Sequence, residues 1–249
     1  MSGAIAVLRR EFSAALDAPS AWVATATFAV ALRRCSSSRA IRSATCNQPG
    51  LWEGRVASLH VVFAWLPPMY AILAPALTMG SWAEERRAGT EELLLAWPIR
   101  TFDVVLGKFL SAWALLLVVT LVAIAPAVVV VANLGPLDLG TVLGGAIGTA
   151  LLGAACVAVG LLVSSATREQ LVAFLVSALV LAGLWSVSLF IRVIPASFAE
   201  WAYLLSPQAH FVDSAARGVF ALADVVYFGT LSGLALLVTW RTVEARRRG

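Results

Sequence analysis

Chemistry needs side chains that hold protons, metals or nucleophilic electron pairs, and this sequence has few of them. Its two histidines are His60 and His210. Cys35, Cys46 and Cys156 follow no CxxC or other metal-ligand spacing. No HExxH and no GxSxG is present. Gly107-Lys108 is followed by Phe109, and position 102 is Phe, so there is no phosphate-binding loop. The chain is therefore expected not to be an enzyme, to have no catalytic, metal or cofactor-binding residues, and to hydrolyse no nucleotide by itself. Cys156 reads as a small packing residue. Cys35 and Cys46 could pair as a disulfide if their loop faces an oxidising compartment.

What the chain has instead is a charged island. Trp82–Lys108, WAEERRAGTEELLLAWPIRTFDVVLGK, holds Glu84, Glu85, Arg86, Arg87, Glu91, Glu92, Arg100, Asp103 and Lys108 between two long apolar runs. Gly89 reads as the residue that stops a helix, with Arg86 and Arg87 in its last turn, where cations suit the helix dipole. Thr90 reads as the N-cap of a short helix with Glu91 and Glu92 in its first turn. Leu93, Leu94, Leu95 and Trp97 form an apolar ridge, and Pro98 ends it. Thr101 can cap the next helix, with Asp103 in the first turn. A ridge flanked by charges suits docking into a groove on another protein; the other option is a ridge lying on the bilayer surface.

The elements around this island are apolar. The chain is 60% hydrophobic and 13% charged, whereas a soluble domain carries about a quarter charged residues. Mean hydropathy is +0.88. Six apolar runs stand out: Ala21–Leu32, Leu59–Met79, Phe109–Val131, Val142–Val163, Leu171–Ile191 and roughly Ala221–Trp240. A spanning helix needs about 20 apolar residues, and the last five runs meet that. The expected fold is an all-α polytopic membrane helix bundle with six spans, the first degenerate, in one domain over residues 1–249. A β-barrel would show short alternating segments instead.

The first run is short. Its twelve residues match the core of a signal peptide, with Ala29-Val30-Ala31 as an A-x-A-like site, or a span extended back to Asp17. Glu11 and Asp17 in the preceding segment favour the span. Residues 1–20, with Ile5, Val7, Leu8, Phe12 and Leu16 at helical spacing, read as an interfacial helix or as a charged tail that sets orientation. The 33–58 segment is an anomalous outer loop rich in Arg and Ser. With both termini inside, eleven of the 18 Lys and Arg lie inside, and most of the outer ones belong to 33–58. That is the positive-inside pattern, so the net charge of +4 needs no nucleic acid to explain it. Pro67, Pro68 and Pro75 predict kinks in the second run. Gly140, Gly144 and Gly148 allow close helix approach, within the bundle or across a dimer seam. The 192–220 segment, with Trp201, Tyr203 and Phe211, reads as short interfacial helices on the outer face. Asp224 fits an interfacial position near the start of the last span. The span cores carry almost no ionisable residues, so a proton or ion relay is not expected.

Residues 83–108, AEERRAGTEELLLAWPIRTFDVVLGK, resemble the first cytoplasmic loop of ABC-2 type transporter permeases: an acidic pair, a Gly-Thr, an E-L-L ridge, a Pro and a G-K before the third span. Leu205-Ser206-Pro207, His210-Phe211, Arg217-Gly218-Val219 and Asp224 to Tyr227 resemble the outer segment of the gliding-motility and nitrous-oxide-maturation branch, and Ser164, Ser165, Thr167 and Gln170 fit its fourth-to-fifth loop. The resemblance covers roughly 59–248; residues 21–58 do not resemble the family's first span. It implies a permease subunit of the bacterial inner membrane, paired with a second permease, identical or similar, and with cytoplasmic ATPase subunits that bind the ATP. The coupling residues it implies are Glu84, Glu85, Arg86, Arg87, Thr90, Glu91, Glu92, Leu93, Leu94, Leu95 and Trp97. The outer motif is Ser206, Pro207, His210, Phe211, Arg217, Gly218 and Asp224. Transport, as export, is the implied activity. The other reading is a scaffold that transmits ATPase work through 192–220 to an outer-face or periplasmic protein.

Overall fold

The computed structural model describes residues 2–17, 22, 25–31, 60–91, 100–134, 139–190, 206–212 and 222–248. Among them every element is a helix: α1 Ser2–Asp17, α2 His60–Ala64, α3 Leu66–Thr78, α4 Gly80–Arg87, α5 Thr101–Leu134, α6 Leu139–Ala166, α7 Gln170–Phe190, α8 Pro207–Val212 and α9 Leu222–Arg248. Four of these, α5, α6, α7 and α9, are long and apolar enough to cross a membrane. They coincide with the last four apolar runs.

The second run is helical but interrupted at Trp65 and Met79. Pro67 and Pro68 cause the first break. They have no N–H to give to the turn before them, so they sit in the first turn of a new helix, where none is needed. Of the first run, residues 25–31 are helical. Phe28 is buried in the bundle core, 6.4 Å from the Tyr70 ring, which suits a span better than a signal peptide. The six-span count rests in part on residues outside those described, and so do the 33–58 loop, the cysteines at 35 and 46, and most of 192–220.

α6 is the hub. It buries 61% of its apolar window, against 17–33% for the other three long helices. Small residues permit this. A Cβ on Gly145 would run into the Phe63 ring, one on Gly153 would lie 3.0 Å from Leu116, and one on Gly160 would meet the Thr78 hydroxyl. Close approaches among the described residues thus fall at Gly145, Gly153 and Gly160. Gly144 and Gly148 are buried as well, while Gly140 is exposed. α9 and α3 pack on α6, α3 also packs on α7, and α1 lies along α5. The core runs through Leu66, Tyr70, Leu116, Val157, Leu161 and Phe228. Tyr70 Oη and Thr120 Oγ1 share a hydrogen bond of 2.7 Å inside it, and Trp113 Nε1 donates to Ala150 O at 2.9 Å. Such ties matter in lipid, where apolar burial alone does not drive helices together.

α5 has 34 residues and is about 51 Å long at 1.5 Å per residue. A hydrocarbon core is about 30 Å thick. It is therefore longer than one crossing needs, and its start, Thr101–Lys108, joins the charged end of the bundle.

Candidate functional site: a charged belt at one end of the bundle

α4 begins where α3 stops. The first backbone N–H groups of any helix lack partners within it, and the residue before α4, Met79, has no capping side chain. Ser164, at the end of α6, supplies the cap. Its hydroxyl accepts from Trp82 N at 3.2 Å and Ala83 N at 3.3 Å, and donates to Met79 O at 3.0 Å. α4 then ends as the sequence predicts. Gly89 has φ +69°, Thr90 N donates to Glu85 O at 3.0 Å and Gly89 N to Arg86 O at 3.3 Å. This is a Schellman closure, and glycine adopts its left-handed residue without strain.

α4 carries two ionic knots. On one side Lys108 of α5, only 2% exposed, reaches back to α4. Its Nζ lies 2.7 Å from Glu85 Oε1, 3.5 Å from Glu11 Oε1 and 2.8 Å from Ser81 O, and 5.0 Å from the Trp82 ring centroid. Burial pushes the Glu85 carboxyl above the usual carboxylate range, against the opposing pull of Lys108. Glu85 Oε2 and Trp82 Nε1 are buried without a hydrogen-bond partner. On the other side Glu91 lies between two guanidinium groups, 3.3 Å from Arg86 Nε and 3.2 Å from Arg246 Nη1. Arg86 also donates to Ser165 O and Thr167 O at 3.3 and 3.0 Å, and Arg246 to Ser165 O at 2.6 Å. Burial and the neighbouring Arg246 lower the Arg86 pKa.

A third tie joins α5 to α9. Thr101 Oγ1 donates to Glu244 Oε2 at 2.6 Å and accepts from Arg247 at 3.3 Å. The cap expected of Thr101 is not what its hydroxyl does: the turn opens on the Arg100 carbonyl, which accepts from Asp103 N and Val104 N. Thr90 likewise donates its hydroxyl backwards, to Glu85 O at 3.3 Å. The helix it is expected to cap falls in 92–99, outside the described residues, with Glu92, Leu93, Leu94, Leu95 and Trp97. Glu84 and Arg87 are exposed.

The belt brings together α1, α4, the start of α5, the α6–α7 junction and the end of α9. These are the segments whose charges the positive-inside count assigns to one side. Sequence reasoning missed the partners: Lys108, Glu11, Ser164, Thr101, Glu244 and Arg246. Lys108 carried a usable signal, as a lone cation entering an apolar run. Arg246, one of the four arginines after the last apolar run, is tied to Glu91.

At the opposite end of α9, the outer motif is partly assembled. His210 Nδ1 and Asp224 Oδ1 are 2.8 Å apart, with side chains 9% and 7% exposed. The imidazole stacks on Tyr227 at 4.5 Å and 19°. Asp224 is in the first turn of α9, as expected, but buried and partnered. Ser206 and Phe211 are buried and Pro207 begins α8; Arg217 and Gly218 lie outside the described residues. No group of three or more metal-ligating side chains occurs among the described residues.

Several apolar spans, locked by side chains at one polar end, define a multi-pass helical membrane protein. The chain belongs to the ABC-2 transporter family: the model described as ABC-2 family transporter protein matches residues 5–243. No curated protein matches the chain. Permeases of this family work with an ATPase subunit.

Proposed function

We propose that the chain is the membrane-spanning permease subunit of an ABC-type transporter in the bacterial inner membrane. ATP hydrolysis by a separate cytoplasmic ATPase drives transport, in the export direction, through a pair of permease subunits. Both termini and the belt face the cytoplasm, and the outer motif belongs with the gliding-motility and nitrous-oxide-maturation branch. The chain binds no ATP, and energy enters through 90–97.

One observation carries this reading. Glu91, the last described residue before the Leu-Trp ridge, is held by Arg86 of α4 and Arg246 of α9. α4 is in turn tied to α5 through Lys108 and to α6 through Ser164. A push passed on to Glu91 reaches three spans, α9, α5 and α6, through these polar contacts.

The test is co-purification. Glu92→Arg with Leu94→Asp should abolish recovery of the ATPase subunit with the chain while membrane insertion stays intact. Undiminished recovery would refute docking through the ridge.

A further inference from the structure

Beside the belt, a groove of about 440 Å³ opens between the α3–α4 junction and the start of α7. Its wall on one side is Ala76 and Met79; on the other it is Leu171 and Phe174. Arg87, Glu169 and Gln170 line its polar end. Arg87 and Glu169 are exposed, and neither makes an ion pair among the described residues. So a free cation and a free anion border one groove without neutralising each other.

The apolar end continues along the bundle. Leu171, Leu175 and Leu179 are 71%, 56% and 74% exposed and recur every four residues, on one face of α7. On α3, Ile72, 60% exposed, shares a face with Ala76, four residues on, and with Met79, seven residues on at the helix end. The groove thus joins an opposed charge pair at the polar end of the spans to two apolar tracks running into the lipid-facing surface.

We infer that this groove is a phospholipid site selective for a primary-amine zwitterionic headgroup. The phosphate takes the Arg87 guanidinium, the ammonium takes the Glu169 carboxylate, and an acyl chain lies along Leu171 and Leu175. A headgroup with both charges satisfies both walls; an anionic one leaves Glu169 facing like charge. A trimethylated amine offers Glu169 no N–H to accept, which costs the charge-assisted hydrogen bond. The site rests only on the chain lying in a bilayer and is independent of the transport reading.

The experiment is a lipid titration of the full chain, purified in detergent. Phosphatidylethanolamine, phosphatidylcholine and phosphatidylglycerol are added in turn, and bound lipid is counted by native mass spectrometry. Phosphatidylethanolamine should bind about tenfold more tightly than either other lipid, the worth of one charge-assisted hydrogen bond. Glu169→Ala should remove the preference over phosphatidylcholine, and Arg87→Ala should weaken all three lipids. The exchange Arg87→Glu with Glu169→Arg should restore the preference for phosphatidylethanolamine, and both sites are exposed enough for the fold to tolerate it. Equal binding of the three lipids by the unaltered chain would overturn the proposal. So would a preference for phosphatidylglycerol, or selectivity unchanged in Glu169→Ala.

Discussion

Lys108 and Glu85 meet at 2.7 Å across the boundary between α5 and α4, with the lysine side chain 2% exposed and the glutamate 18%. Neither charge would stay in so dry a place alone. Their pairing, with Glu11 of α1 at 3.5 Å, fixes three helices of the belt to one another.

The first prediction follows from that asymmetry. Removing one partner of a buried pair costs about 3–5 kcal/mol, because the other charge is left behind, while replacing both by apolar groups is often neutral. Glu85→Leu alone should lower the melting temperature in detergent clearly, since Lys108 keeps Glu11 at 3.5 Å, a carbonyl and the Trp82 ring but loses its nearest carboxylate. Lys108→Met should lower it less, because the Glu85 carboxyl can take a proton. The double variant should recover most of the loss. Additive losses would show that the pair is not the stabilising unit.

The second concerns pH. Glu85 titrates above its ordinary value of 4.5 because burial outweighs the pull of Lys108. Folded chains therefore hold this proton more tightly than unfolded ones. The corresponding stability is fully present below pH 4.5 and is lost as pH rises through the folded-state pKa. The melting temperature of the unaltered chain, minus that of Glu85→Gln, should fall as pH is raised from about 4.5. A difference that rises over that window would reverse the sign of the Glu85 contribution.

Ser164 gives the third prediction. Its hydroxyl is the external cap of α4, and loss of a helix cap costs about 0.5–2 kcal/mol. Ser164→Ala should destabilise the chain by about that much. It should also speed amide exchange at Trp82 and Ala83 specifically, which exchange mass spectrometry reads on a peptide covering α4. Unchanged exchange there would remove Ser164 from this role.

Spans and stops were legible in the sequence because they rest on local physics. Four apolar runs became α5, α6, α7 and α9, and Gly89 stopped α4 because left-handed backbone favours glycine. The prolines announced the break at Trp65. The belt was only half legible: Glu85, Arg86 and Glu91 were visible as charges, and Arg86 and Glu91 pair locally, but Lys108 and Arg246 lie 23 and 155 residues from the glutamates they meet, and no spacing rule encodes such pairs. Thr101 shows the failure most plainly. Its type and place fit a local cap, and a distant glutamate, Glu244, accepts its hydrogen bond instead. The glycine spacing showed that α6 permits close approach, but not what approaches: the groups at Gly145 and Gly160, Phe63 and Thr78, come from distant residues.

Gly145 therefore gives the fourth prediction. A methyl group there would press into the Phe63 ring, and overpacking a tight core costs about 1–3 kcal/mol. Gly145→Ala should lower the melting temperature, and adding Phe63→Leu should return part of it by clearing the ring. Gly183→Ala, which meets nothing within 4 Å, is the matched control and should cost nothing measurable. Equal effects at both glycines would mean that α2 does not rest on α6 through this contact.

The last prediction separates two uses of the pair at the other end of the bundle. His210 and Asp224 are buried together, and the imidazole also stacks on Tyr227. Asp224→Ala removes the acceptor but keeps the ring stack; His210→Ala removes both and leaves a buried carboxylate. If the pair holds α8 against α9, His210→Ala should be the more destabilising, and proteolysis near 206–212 should quicken in both variants. His210→Gln keeps a side-chain amide donor for Asp224 but not the aromatic stack, so its melting temperature should fall between the unaltered chain and His210→Ala. A variant series in which only Asp224 matters would place the anion's value in the first turn of α9, where a helix N-terminus favours negative charge, and not in its partnership with His210.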